Sequence, residues 1–411
     1  MTRSVALMVA AILLTACTPS AEPTIATTTT STTRPPTTTL TVIETAPTTT
    51  LPPPVVTAAI DDTPQGLADT VAEFYAWVLD PALEPPNLPA GLIAAFAKPP
   101  GPRVLHIEGQ TTTAEVQGSQ LAVVQAADDV VLAVDDGPGW RVVGAHLTRF
   151  DAPAWYGDPP RLLLMIGSDA RPGQNPLIFR ADSLHILGID PARSRGSLLG
   201  IPRDTLVTKL DGTEDKLTHA MASVGPEVLT QTAENLTGLD FDGYIVTGFK
   251  GFIDVVNAFG GFTFDIPFGI TDEKAEADFR RGVQHLNGAE ALAWSRIRKI
   301  KGGDFQRQLN GGELLIAMLI EAREGGMMLL DVPAMLEIFT RFVATDLTPE
   351  ELLTMAAAVV ELDPPEIDNL VAPGMIGRAV GRSVVFLDEV AFEMFEDIAD
   401  GVLDGTYEPF P

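Results

Sequence analysis

RLLLMIGSDARPGQNPLIFRADSLHILGIDPARSRGSLLGIPRD, residues 161–204, contains three near-continuous apolar runs: Leu162 to Ile166, Ser183 to Ile189 and Gly196 to Ile201. Short apolar runs bounded by Gly, Pro and Asp read as strands buried on both faces. Downstream, Pro226 to Leu236 reads as a helix stopped by Gly238, and Tyr244 to Phe249 as a strand. Gly251 to Phe259 then reads as a helix whose Phe252, Val255, Val256 and Phe259 share a face. Gly260-Gly261 turns into a strand from Phe262 to Ile266. Strands alternating with helices are the signature of an α/β sheet. From Gln308 onward the chain is expected to be largely helical, with Leu314, Leu315, Met318 and Leu319 on one side of the first helix.

Two of these strands end in polar groups, Ile166-Gly167-Ser168-Asp169 and Ile201-Pro202-Arg203-Asp204. Ligands of open α/β sheets bind beyond the carboxyl ends of the strands, which places Asp169 and Arg203 where chemistry is expected. Arg180 and Asp182 lead into the second strand at i, i+2, a spacing that puts both on one face of an extended segment. Asp169 and Asp182 suit a hard cation held by carboxylates and substrate phosphates; each alone also suits a turn or a helix cap. Arg296, Arg298 and Arg307 complete an island of arginine in a chain of net charge -28. Planar guanidinium forks match phosphate oxygens two at a time. Asn287 and Glu290 read as a capping box opening a helix toward Trp294-Ser295-Arg296-Ile297-Arg298. Residues two apart point to opposite sides of a helix, so if both arginines serve one ligand the helix ends near Trp294; a longer helix with two solvated arginines fits this segment equally well.

The chain has 411 residues, 45% of them hydrophobic, enough for two folded units. Lys plus Arg number 27 against 55 for Asp plus Glu, a balance that repels nucleic acid and anionic headgroups, so a phosphate ligand needs a local exception. The one cysteine, Cys17, excludes an intramolecular disulfide. Arg3, the apolar run Val5 to Leu14 and Leu14-Thr15-Ala16-Cys17 resemble a bacterial lipoprotein signal peptide over residues 1–17. That resemblance implies cleavage before Cys17, a lipidated sulfur and attachment to the outer face of the cell membrane. An ordinary secretory peptide is the alternative, and it too places the mature chain outside the cytoplasm. Residues 18–59, rich in Thr and Pro, read as a tether with a reach on the order of 100 Å. Residues 60–150 read as a small α+β accessory domain: a helix from Leu67 to Leu79, then a meander with strands Val104 to Ile107, Ala114 to Val124, Val130 to Val134 and Trp140 to Leu147.

The ordered series Ile166-Gly167-Ser168-Asp169, Arg180-Ala181-Asp182-Ser183, Ile201-Pro202-Arg203-Asp204, Lys216-Leu217-Thr218-His219-Ala220, Gly260-Gly261, Gln284-His285-Leu286-Asn287-Gly288, Ala291 to Arg298 and Gly303-Asp304-Phe305-Gln306-Arg307 resembles the LytR-CpsA-Psr family. The resemblance covers Leu162 to Leu319 and, more weakly, the tail to Leu403, within a catalytic domain set at 160–403. It implies a three-layer α/β/α sandwich with a greasy tunnel for an isoprenoid. It also implies an extracytoplasmic phosphotransferase that moves a glycopolymer from a polyprenyl-pyrophosphate carrier to a peptidoglycan hydroxyl. Mg²⁺ is then expected at Asp169 and Asp182, pyrophosphate contacts from Arg180, Arg203, Lys216, Arg296, Arg298 and Arg307, and catalytic roles for Arg203, Asp204, Arg296 and Arg298. Asp204 and Asp304 would orient arginines. Apart from the resemblance, Asp204 is a candidate base, the alternative being a metal ion that lowers the pKa of the acceptor hydroxyl. The partners implied are the lipid-linked glycan, peptidoglycan and, through the anchor, the membrane, with no nucleic acid.

The chain departs from the family at Asn310-Gly311-Gly312, where a further arginine and a glutamine pair are usual, at Thr218 in place of asparagine, and at Ser183 in place of threonine. One lost charge-assisted hydrogen bond of about 1.5 to 3 kcal/mol weakens carrier binding roughly tenfold or more. These departures motivate one alternative, a polyprenyl-phosphate-binding lipoprotein without turnover; the other is a polyprenyl-pyrophosphate hydrolase, in which the same pocket serves with water replacing the sugar. The five histidines, His106, His146, His185, His219 and His285, lack metal-ligand spacing, and His185 inside an apolar strand reads as a satisfied core residue. Ser168 lacks the glycine-flanked elbow of a hydrolase nucleophile.

Overall fold

The computed structural model describes residues 52–97, 101–364 and 367–407. Cys17 and the expected signal peptide lie outside them, as does the tether as far as residue 51. The first described elements form a five-stranded sheet in sequence order: β1 (Val55–Asp61), β2 (Val104–Val116), β3 (Ser119–Ala126), β4 (Asp129–Asp135) and β5 (Trp140–His146). β2 to β5 make the expected antiparallel meander, whereas β1 pairs parallel to β2, Val55 opposite Val104. The tether expected through Ala59 thus gives way to a strand at Val55. Val56, Ala58 and Ile60 turn inward against α1 (Leu67–Leu79), but their strand partner lies some fifty residues downstream, beyond the reach of local composition. β2 runs unbroken through Thr111 to Thr113, where two strands were expected, because Thr111 is buried and its hydroxyl donates to the Val123 carbonyl at 3.0 Å. α1 and α2 (Ala90–Phe96) cover one face of this sheet with Leu67, Val71, Phe74, Leu92 and Phe96.

The three apolar runs become β6 (Arg161–Ser168), β7 (Ala181–Asp190) and β8 (Arg195–Gly200), paired antiparallel in that order. A small hairpin, β9 (Leu206–Thr208) with β10 (Glu214–Lys216), is followed by α3 (Pro226–Thr237). β11 (Gly243–Thr247) then lies parallel to β6 and leads into α4 (Phe249–Ala258). Two two-stranded ribbons follow, β12 (Phe262–Ile266) with β15 (Gly282–Leu286), and β13 (Ile270–Asp272) with β14 (Ala277–Phe279). Next come α5 (Gly288–Ser295), α6 (Asp304–Glu324), α7 (Val332–Phe339), β16 (Ala344–Thr345) and α8 (Pro349–Val360). β17 (Asp368–Val371), the hairpin β18 (Gly374–Ala379) with β19 (Arg382–Leu387), and α9 (Glu389–Asp397) end the chain.

The main sheet has the order β16-β11-β6-β7-β8-β17. The tail expected to be largely helical contributes both of its edges, since β16 and β17 pair with strands far away in sequence. One face of the sheet is covered by a core that includes Leu229 and Ala233 of α3 and Met394 and Phe395 of α9; the other is covered by α4 to α8. This is the α/β/α sandwich.

α8 reads Pro-Glu-Glu-Leu-Leu-Thr-Met-Ala-Ala-Ala-Val-Val, and Leu352 to Met355 and Ala357 to Val360 are all buried. A helix that is apolar all round must be covered all round. It lies between two sheets, with β7 on one side and β3, β4 and β5 on the other. Leu121, Val123, Leu132 and Val143 of the first sheet therefore share one core with Leu163 and Leu187 of the second. Residues 60–150 and 160–403 thus pack against each other through α8.

Candidate functional site

β6, β8 and β11 end at one edge of the main sheet, and the antiparallel β7 begins there. This topology brings Asp169, Arg180, Asp182, Arg203 and Phe249 to a common rim. The capping box forms as the sequence requires: the Asn287 side chain accepts from the backbone N–H of Glu290 at 3.1 Å, and Glu290 accepts from that of Asn287 at 2.9 Å. α5 ends at Ser295, so Arg296 and Arg298 leave it on a turn and both line the cleft. Asp169, Arg171, Gln174, Phe179, Arg180, Asp182, Arg203, Phe249, Arg296 and Arg298 enclose that cleft. Arg307, at the start of α6, reaches the same carboxylate from behind.

Asp182 is the centre of charge. Arg203 Nη1 donates to its Oδ1, Arg307 Nη1 lies 3.5 Å from Oδ2, and Arg298 Nη2 lies 3.8 Å from Oδ2. Asp169 Oδ2 accepts from Arg180 Nη2 at 2.5 Å and from Nε at 2.9 Å. Asp304 bonds Arg307 Nη2 and sits 3.3 Å from Arg203 Nε, so it orients two arginines at once. Arg203 Nε is buried and, at that separation, still lacks a hydrogen-bond partner among the described residues. Burial opposes the charge of Arg203 most, yet Asp182, Asp304 and Asp204 hold its pKa above the ordinary value. Burial pulls Arg307 below its ordinary value, opposed by Asp304. Arg296 lies over the Phe249 ring, its Cζ 4.6 Å from the centroid, a cation–π contact that fixes the guanidinium without neutralising it. Arg171, Arg180, Arg203, Arg296 and Arg298 lining one cleft make a receptor for an oxyanion.

Lys216 Nζ donates to Asp204 Oδ2 at 2.6 Å, and Asp204 Oδ1 lies 3.8 Å from Arg203 Nε. Neither Lys216 nor Asp204 is among the residues lining the cleft, so the structure brings them to its rim as a pair behind Arg203. Asp169 and Asp182 do line it, but the described residues contain no group of three His, Cys, Asp or Glu able to cage a metal. These donors fit a hard cation that takes its remaining oxygens from a phosphate ligand, and do not fit an all-protein cage.

Behind Arg296 and Arg307 the cleft opens into an apolar channel between the main sheet and α4, α6, α7 and α8. Its outer cavity, about 140 Å³, includes Ser168, Ser183, His185, Phe252, Gln308 and Leu315 in its lining. A second of about 80 Å³ shares Met165, Ile245 and Phe252 with it. The innermost, about 40 Å³, shares Ile245, Phe259 and Phe339 with the second. The greasy tunnel implied by the resemblance thus has a physical counterpart.

His185 is the satisfied residue its strand implied: Nε2 is 2.8 Å from the Gln308 carbonyl, and burial lowers its pKa, so it stays neutral. The unusual Gly311 and Gly312 have a packing cause. A Cβ on Gly312 would stand 2.0 Å from Asn369 Oδ1, and one on Gly311 3.0 Å from His185 Cε1, so α6 lies closer to the sheet than larger residues permit. Asn310 is buried and accepts from Gln306 Nε2 at 3.1 Å. Sequence reasoning missed Arg171, Phe249, Ser183 and Gln308 as lining residues. Arg171 had a legible signal as a cation two residues beyond Asp169, whereas Gln308, whose buried Nε2 has no partner among the described residues, had none.

Residues 150–399 match the LytR_cpsA_psr family. The chain is 38% identical over 150 residues to the polyisoprenyl-teichoic acid–peptidoglycan teichoic acid transferase TagV of Bacillus subtilis (strain 168), covering 34% of this chain and 38% of that one. It is 32% identical over 211 residues to a Corynebacterium glutamicum protein named "Probable cell wall biosynthesis protein LcpB", covering 51% of this chain and 48% of the relative. The chain thus spans less than half the length of these curated relatives. The crystal structure of B. subtilis TagV superposes with a TM-score of 0.51 at 28% identity, over 61% of this chain and all of that one. With most of its length matched by the family, and Asp169, Arg180, Asp182, Arg203, Arg296 and Arg298 of its motifs lining one cleft, the chain belongs to the LytR-CpsA-Psr family.

Proposed function

We propose that the chain is an extracytoplasmic phosphotransferase that moves a glycopolymer from a polyprenyl-pyrophosphate carrier to a peptidoglycan hydroxyl. The observation that carries this reading is one continuous site in which an arginine-lined cleft opens directly into an apolar channel. A diphosphate ester of a long isoprenoid has these two halves in the same order. The name of the related TagV, a polyisoprenyl-teichoic acid–peptidoglycan transferase, agrees with it. The lipoprotein signal read at residues 1–17 supports an anchor through Cys17 that would hold the site at the outer face of the cell membrane.

Phosphoryl transfer needs positioning and charge neutralisation more than covalent participation by the protein. Arg180, Arg203, Arg298 and Arg307 would hold the diphosphate oxygens, with the Nε edge of Arg203 turned toward Asp204 and Asp304. Arg296, fixed on Phe249, would stand where the cleft meets the channel. Asp204 would hold Lys216 and steady Arg203 from behind, and Asp304 would do the same for Arg203 and Arg307. Asp169 and Asp182 would hold Mg²⁺ together with the diphosphate. When bound, the ion supplies charge neutralisation of the transferring phosphate. The acceptor hydroxyl oxygen bonds to the phosphorus next to the glycan as its proton passes to solvent, and the bond from that phosphorus to the bridging oxygen breaks, releasing polyprenyl monophosphate.

Close packing of α6 on the sheet accounts for Gly311 and Gly312, and turnover itself separates the transferase from a binder without turnover. The test is the purified chain with a lipid-linked pyrophosphate donor and a wall acceptor in Mg²⁺. Transfer that falls with Arg203→Ala and Arg307→Ala supports the reading. Transfer unchanged by both overturns it, and lipid phosphate released at the same rate without acceptor replaces it with hydrolysis.

A further inference from the structure

The innermost cavity of the channel is closed by α8. Leu352, Met355, Ala356 and Val359, at i, i+3, i+4 and i+7, form the stripe facing it, and Met335, Leu336 and Phe339 of α7 stand beside them. The side of α8 away from the cavity rests on the N-terminal sheet. That sheet lies outside the family match, which begins at residue 150.

The contact is more than apolar packing, because α8 is tied at both ends. In its first turn Glu350 Oε2 accepts from Arg141 Nη1 at 2.5 Å. Just past its last turn Glu361 Oε1 accepts from Tyr156 OH at 2.8 Å and lies 3.0 Å from His146 Nδ1. Arg141 and His146 stand at opposite ends of β5. Five residues of strand and eleven of helix each span about 16 Å, so β5 runs alongside α8 for its full length and holds it at matching points. A third tie, from the Thr112 hydroxyl to the Leu330 carbonyl, fixes the segment that leads into α7.

We propose that the N-terminal sheet is the backstop of the channel: by fixing α8 at Glu350 and Glu361 it sets how long an isoprenoid chain the channel accepts. This rests on the reading that the channel takes the lipid tail. It also explains why the cavities narrow toward α8 instead of opening through it, since a helix held at both ends cannot swing away from β7 to admit further chain.

The experiment measures binding of geranyl, farnesyl and longer polyprenyl monophosphates to the full chain and to an Arg141→Ala, Glu361→Gln double variant. Wild-type affinity rises with chain length and then levels off where the channel is full. In the variant the plateau moves to longer chains by at least one isoprene unit, while affinity for geranyl monophosphate, which stays near the mouth, is unchanged. A plateau at the same length in both proteins, with only the melting temperature lowered, overturns the proposal and leaves these contacts a structural role. Affinity independent of chain length in the wild type instead overturns the lipid-channel reading beneath it. Glu350→Gln, with its carboxylate at the partly exposed end of α8, is read by the same criteria if the double variant does not fold.

Discussion

Asp182→Asn removes the negative charge on which three guanidiniums converge. Each ion pair near 4 Å is worth about 4 kcal/mol gross at an effective dielectric near 20, before desolvation is subtracted. Arg298 is 60% exposed and contributes little, whereas Arg307 is 4% exposed and Arg203 20%, so the loss falls on these two. Breaking one side of a buried pair costs about 3–5 kcal/mol, and Asp304 still holds both arginines, which reduces the net to roughly 2–4 kcal/mol. At about 2 °C per kcal/mol for a body of this size, the melting temperature drops by roughly 4–8 °C. The cleft meanwhile gains a positive charge. Inorganic pyrophosphate, read by thermal melts without divalent cation, therefore raises the melting temperature of the variant more than that of the wild type and recovers at least half of the loss. Transfer from the lipid-linked donor falls by about 100-fold all the same, because the carboxylate that would share Mg²⁺ is gone. A melting temperature within about 1 °C of wild type, or equal stabilisation of both proteins by pyrophosphate, refutes the convergence of charges argued here.

Arg298→Ala leaves the fold intact, since the side chain is exposed and only loosely paired, but lowers transfer by about 100-fold; a melting temperature within about 1 °C of wild type beside the lost activity checks both halves. Leu315→Trp fills the channel where the outer and second cavities meet, so binding of long polyprenyl phosphates falls more than tenfold while inorganic pyrophosphate binds as before; equal loss of both refutes the separation of the two halves. The hydrogen bond to Glu361 raises His146 above its ordinary 6.5, with burial opposing. A raised folded-state pKa gives stability that is complete below about 6.5 and lost as pH rises through the folded value, so melts of His146→Gln differ most from wild type in acid and converge above neutrality; a pH-independent difference rejects the ion pair. Gly312→Ala pushes its new methyl into the Asn369 carboxamide and breaks the 2.8 Å bond from Asn369 Nδ2 to the Leu309 carbonyl, lowering stability by about 2–4 kcal/mol in denaturant melts; a loss below about 1 kcal/mol shows that α6 can withdraw from the sheet.

Local rules carried far along this chain. The apolar runs of residues 161–204 are the central strands, Asn287 and Glu290 start α5, and Leu67 to Leu79 is α1 with the expected bounds. The motif arginines were legible as an island because guanidinium against a background of -28 is conspicuous in composition alone. Their convergence was not, since Arg180, Arg203, Arg298 and Arg307 come from four separate segments, and only the antiparallel course of β7 between β6 and β8 returns Asp182 to the edge where Arg203 emerges.

Other features had no local trace. β1, β16 and β17 are strands because distant partners supply their ladder hydrogen bonds, not because their few residues insist on it. Gln308 and Phe249 became lining residues only when helix and sheet met. α8 carries apolar residues on every side, but nothing near it in sequence specifies that two separate sheets bury it. Propensity, capping and apolar period are written within a few turns of backbone, so sequence by itself determined which elements form and which side chains carry the charge. The partners of each strand and the walls of each cavity are chosen by burial across long separations, and that choice only the tertiary structure decided.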